Sequence, residues 1–142
     1  VLETVAANAE ADIIFGDLLI AGEEPQVVRY PDYLPPHYLL SKTLPHQASF
    51  IRRDLFKVYG MHDETFKIAG DYEMFARLLI KHQVSYQHIP HVLATFDGDG
   101  ISTSPQQRKL RKQENHKIRM KYFPRYRLSP KSIRQSLRNL LG

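Results

Sequence analysis

The chain has 142 residues, 42% of them apolar, which suits one soluble globular domain with a real core. It has no cysteine, so disulfide bonds and thiolate metal sites are excluded. No run of about 18 apolar residues exists, so nothing here spans a membrane. The net charge of +5 hides a segregation. Residues 1–102 hold 8 Lys and Arg against 14 Asp and Glu, whereas residues 103–142 hold 12 Lys and Arg and one acid, Glu114. A net of −6 is thus followed by a net of +11, and the basic end should meet something anionic: a phosphorylated substrate, nucleic acid or a lipid surface.

Residues 1–10 read as the end of a helix, with no signal peptide. A start in mid-helix marks the chain as a piece of a longer protein. Ala11 to Ile20 is a strand with a break, a possible bulge, at Gly16-Asp17. Ala21 to Pro25 is a turn, and Gln26 to Tyr30 returns as the second strand of a hairpin. Three prolines make residues 31–36 irregular. Tyr38 to Thr43 forms a short helix, Gln47 to Ile51 a short strand, and a helix runs from about Arg53 to Gly60. Val84 to Ile89 is a strand stopped by Pro90, and Val92 to Phe96 is another. Ser104-Pro105 starts a helix that runs to about Tyr122, and Ser129-Pro130 starts the last one, Lys131 to Leu141.

Between these lies the stretch Phe66 to Ile80. The chain turns at Gly70-Asp71 and enters a helix to about His82. Its apolar residues Tyr72, Phe75, Ala76, Leu79 and Ile80 fall at helical spacing, so one face is buried. Asp71 stands at the mouth of that helix. A carboxylate there serves as an N-cap or as a catalytic base, and the spacing alone does not choose.

The order of motifs resembles family 2 glycosyltransferases of the GT-A fold. The motifs are Phe15-Gly16-Asp17, the segment His46-Gln47-Ala48-Ser49-Phe50-Ile51-Arg52-Arg53-Asp54-Leu55-Phe56, Gly60-Met61-His62-Asp63-Glu64, Gly70-Asp71-Tyr72-Glu73, and Gly98-Asp99-Gly100-Ile101-Ser102. The resemblance covers residues 1–102. Met61-His62 and Asp99 depart from the family pattern and leave acceptor choice open. The resemblance implies an α/β chain forming part of a GT-A fold, a mixed sheet with flanking helices. Residues 1–102 would be the acceptor-side half of the transferase domain and residues 103–142 a basic helical tail. The implied activity is inverting transfer of a sugar from a nucleotide-sugar to a glycan or lipid-linked acceptor. The nucleotide and a divalent metal (Mg or Mn) would be held mostly by a half preceding Val1, so this chain alone would be inactive.

Asp71 matches the family's general base, taking the proton as the acceptor hydroxyl attacks. Tyr72 and Glu73 would flank the site, although Glu73 also fits a first-turn carboxylate favoured by the helix dipole. His46 and Gln47 line an acceptor pocket or fix the loop after Pro45. Arg52 and Arg53 contact a phosphate or simply sit exposed at a helix start. Gly98, Asp99, Gly100 and Ser102 form the family's glycine loop. Asp97-Gly98-Asp99 looks like a metal motif but sits in that loop. The seven histidines show no ligand spacing, so no metal ligand is assigned.

Residues 106–121 read as a solvated helix, or as a surface drawn to anionic lipid at about 1 kcal/mol per basic residue. Tyr122, Phe123 and Tyr126 would then sit in the membrane interface. These features place the protein in the cytoplasm, peripheral at the inner membrane surface. The alternative function is a non-catalytic module holding nucleic acid by its basic tail, but no helix-turn-helix, zinc or RNP motif supports it.

Overall fold

The structure is a computed structural model that describes residues 2–7, 10–97 and 104–141, with the backbone alone at Leu2 and Thr4. It is a mixed α/β arrangement: an open four-stranded sheet of mixed orientation with helices packed against it. After the short helix α1 (Leu2–Ala7), strand β1 (Ile13–Ala21) forms the centre of the sheet. Its run of Ile, Phe and Leu suits a strand covered on both faces, and Ile13 to Leu18 are buried. One edge of β1 pairs in parallel with β4 (Tyr86–Asp97) along its whole length. The other edge is shared by two antiparallel partners. β3 (Ser49–Ile51) takes Ile13 to Phe15, and β2 (Gln26–Val28) takes Leu18 to Ile20 as the expected hairpin.

β1 runs through Gly16-Asp17 without the expected break; the irregularity at that point lies on the neighbouring strand. Gly16 pairs with Ile89 and Asp17 with Val92, so Pro90 and His91 bulge out between them. The two strands read on either side of Pro90 are therefore one. Proline has no N–H, and inside a bulge the ladder asks none of it. The bulge presses on β1: a Cβ at Gly16 would lie 2.7 Å from the His91 carbonyl oxygen and 2.3 Å from the Leu93 side chain. Only glycine fits opposite it.

Between β2 and β4 the chain forms α2 (Pro36–Ser41), a 3-10 turn (His46–Ala48), β3, α3 (Arg53–Tyr59) and α4 (Gly70–Ala76). α4 runs on into a π turn, Arg77–Lys81, closed by His82 N–H donating to the Arg77 carbonyl. This helix is buried on almost every side, not on one face as the periodicity implies, because α5 (Pro105–Tyr122) covers its polar side. Ser104 caps α5 by accepting from Gln107 N–H, as the Ser-Pro signal requires. α6 (Pro124–Arg127) and α7 (Pro130–Leu141) complete the chain.

One hydrophobic core joins the two charge halves. Phe15, Phe75 and Leu78 belong to it, and so do Ile118, Tyr122, Phe123 and Tyr126 from the basic segment. Full burial of a side chain such as Phe75 is worth roughly 2–3 kcal/mol. α5 is thus no solvated helix, and its aromatic end is committed to the core rather than to an interface. The polar sequence of α5 hides this, because its buried positions include Glu114 and His116.

Candidate functional site

The turn into α4 needs partners for its free amides, and they come from far along the chain. Glu114 on α5 accepts from Lys67 N–H (2.7 Å) through Oε1, and from Ile68 N–H (2.9 Å) and Ala69 N–H (2.7 Å) through Oε2. This corrects the reading of Asp71 as a cap. The N-cap position is Ala69, and no side chain of the turn itself caps it. Glu114 holds the turn that precedes α4, and the Asp71 carboxylate, inside the first turn, makes no cap bond and points elsewhere.

It points to two histidines. His46 Nδ1 lies 2.9 Å from Asp71 Oδ2, and His62 Nε2 lies 3.4 Å from Oδ1. His46 comes from the 3-10 turn after Pro45, whereas His62 follows α3 and stacks on Phe56. Each carboxylate oxygen has two lone pairs, so both histidines leave acceptor capacity free. All three side chains keep contact with solvent.

Asp71, His46, Gln47 and Tyr72 line one cavity of about 340 Å³. Lys42, Arg111 and Arg119 supply its cationic side. Arg119 lies over the Tyr72 ring at 6.0 Å and over the Tyr126 ring at 5.9 Å, and its Nε is buried without a hydrogen-bond partner among the described residues. Tyr72 donates its hydroxyl proton to the Leu40 carbonyl. Burial raises the Tyr72 pKa above the ordinary phenol value, partly offset by the Arg119 guanidinium, so the hydroxyl stays protonated. The cavity joins an acid able to take a proton with cations able to hold negative charge.

Other sequence candidates lie elsewhere. Glu73 does not flank the cavity but is buried in a structural network. It pairs with Arg77 at 3.2 Å and accepts the Tyr122 hydroxyl. Burial first, then the Glu73 carboxylate, pushes the Tyr122 pKa far up, so this proton stays on the phenol. Arg77 in turn donates to the carbonyls of Tyr59, Gly60 and Met61, which ends α3. Arg52 reaches Asp12 (3.3 Å) and the Glu10 carbonyl, away from the cavity. Arg53 is exposed and does not line it. Gly98, Asp99, Gly100 and Ser102 fall outside the described residues.

Sequence reasoning passed over His62, Arg119 and Glu114. The Met61-His62 departure from the family pattern marks the first, and the charge surplus of residues 103–142 contains the second. Nothing local marks Glu114, except that it is the one acid in a basic segment.

A second acid–histidine cluster fixes the sheet. His88 Nε2 lies 3.0 Å from Asp17 Oδ1, and its Nδ1 lies 2.7 Å from Asp32 Oδ1. Asp17 also accepts from Tyr30 N–H at 3.0 Å. Asp17 is thus more than a polar residue at a strand break: it ties β1, β4 and the segment after β2 together. Among the described residues no group of three acids and histidines is arranged to hold a metal ion, and no helix is long and apolar enough to cross a membrane. Comparison with protein-family models, with curated proteins and with solved structures finds no match.

Proposed function

We propose that this chain is the acceptor side of an inverting, family 2-like glycosyltransferase of the GT-A fold, with Asp71 as its general base. One observation supports the reading most: the Asp71 carboxylate makes no cap bond and stands on the wall of a cavity, in contact with His46 and His62. A base for an acceptor hydroxyl needs that freedom together with contact to the bound alcohol. His46 and His62 orient the carboxylate and disperse the proton it gains. Gln47 and Tyr72 contact the acceptor, and Lys42, Arg111 and Arg119 favour one that carries negative charge. The nucleotide-sugar and its divalent metal belong, in this reading, to a donor-binding half outside these residues. The described residues do not suit that metal, and no step here runs through it.

The nucleic-acid alternative has less support. Its stacking groups would be Tyr122, Phe123 and Tyr126, and all three are buried.

The test is Asp71→Asn in the polypeptide that joins this chain to its donor-binding half. Asn preserves shape and cannot take the proton. Turnover should fall by on the order of 10²–10⁴, with donor affinity and melting temperature little changed. Turnover near that of the parent, with the fold intact, would remove Asp71 from the chemistry.

A further inference from the structure

α7 is mounted the wrong way round for a helix of a soluble domain. Its small polar side faces the body: Ser132 is 1% exposed, and Ser136 Oγ bonds His116 Nε2 at 3.0 Å. Its apolar side faces out. Ile133, Leu137, Leu140 and Leu141 are 56%, 53%, 81% and 87% exposed. Their spacing sets them in one stripe. The helical step of about 100° per residue places Arg134, Arg138 and Lys131 along one edge of that stripe. No acid follows Glu114 in the sequence.

We propose that the outer face of α7 is a membrane-surface anchor for bilayers with anionic headgroups. The helix lies in the plane of the interface, its leucines in the acyl boundary and its cations among the headgroups. Charge selects this occupant. A second copy docked stripe to stripe would bring two sets of Lys131, Arg134 and Arg138 together with no acid on α7 to offset them. An anionic bilayer meets both the stripe and its cationic edge. The role expected of Tyr122, Phe123 and Tyr126 passes to α7, because those aromatics are in the core. This inference is independent of the sugar-transfer reading.

Deleting residues 103–142 would not test it, since Ile118 and Tyr122 hold the core together. The 142-residue chain should instead be sedimented with vesicles of neutral phosphatidylcholine, and with vesicles holding about 30% phosphatidylglycerol. Two double variants accompany it, Leu137→Ser with Leu140→Ser, and Arg134→Gln with Arg138→Gln. All four positions are exposed, so circular dichroism should show an unchanged fold. The parent should pellet with the anionic vesicles only, and each double variant should bind about tenfold more weakly or worse. Added salt should weaken what remains. Equal pelleting with neutral vesicles, or a leucine variant that binds like the parent, would overturn the anchor. A dimer in analytical ultracentrifugation that the leucine variant dissolves would assign the stripe to a second copy and overturn it as well.

Discussion

Two clusters of the same side chains stand in this molecule with their stoichiometry reversed. One sets Asp71 between His46 and His62, and the other sets His88 between Asp17 and Asp32. The Asp71 side chain is 39% exposed and its histidines about half exposed, whereas the side chains of Asp17 and His88 are each 4% exposed. Burial decides what each can do. Asp32 is 89% exposed, but the Asp17–His88 contact sees little water, so breaking it leaves a desolvated partner behind. Around Asp71 water screens the pairs, and the carboxylate keeps room for a further ligand. The first arrangement locks strands together, and the second leaves a proton acceptor at a cavity wall.

Substitutions at the two aspartates test that contrast most directly. Asp17→Ala strands His88 Nε2 and the Tyr30 amide, while His88 Nδ1 keeps Asp32, and should cost about 3 kcal/mol in denaturant unfolding. Asp71→Ala should cost under about 1 kcal/mol by the same measurement, because its pairs are exposed and it caps nothing. Equal losses at the two positions would end the distinction.

Glu114→Gln comes between them in size. It keeps the shape but loses the charge that three amides share, and should cost about 1–2 kcal/mol in melting experiments. A loss near zero would show that the amides of residues 67–69 do not depend on the Glu114 charge.

The smallest effect concerns a further histidine, His116, held between the Tyr126 hydroxyl and Ser136 Oγ at 3.0 Å each. Burial, and then the neighbouring Arg119, lowers its pKa below the ordinary value of about 6.5. The unfolded chain therefore binds the proton more readily. The stability this histidine contributes is present above about pH 6.5 and is lost as pH falls through its folded pKa. Parent and His116→Gln should lose stability differently between about pH 7 and pH 5, the parent more steeply. Parallel profiles would show that His116 is not titrating in the fold. His82, lowered by burial in its stack on Tyr59, acts in the same direction in both proteins, so the difference isolates His116.

Much of the fold is legible in local sequence, because its signals are local. Ser104-Pro105 and Ser129-Pro130 start helices where they stand, and the turn at residues 22–25 makes a hairpin. The failures share another cause. Pro90 reads as a stop because a bulge is defined only by the strand beside it. Asp71 reads as a cap because a Gly-Asp step looks like a helix start, whereas the helix begins one residue earlier and the turn before it is held by Glu114, 45 residues beyond Ala69. Glu73 reads as a site residue because Tyr122, its partner beside the local Arg77, appears only once α5 covers α4. At the candidate site, Asp71, Tyr72, His46 and Gln47 do meet, while two of the three cations that line the cavity with them, Arg111 and Arg119, come from a segment whose polarity reads as solvated surface.

The grip of Glu114 on residues 67–69 also sets an order of events. A chain emerging from the ribosome presents Asp71 long before Glu114 exists, so the turn beneath α4 stays open until the basic segment arrives. The cavity can therefore close only late in synthesis. A polypeptide halted before residue 114 would carry Asp71, His46 and Gln47 without the clasp that holds the Asp71 turn to them.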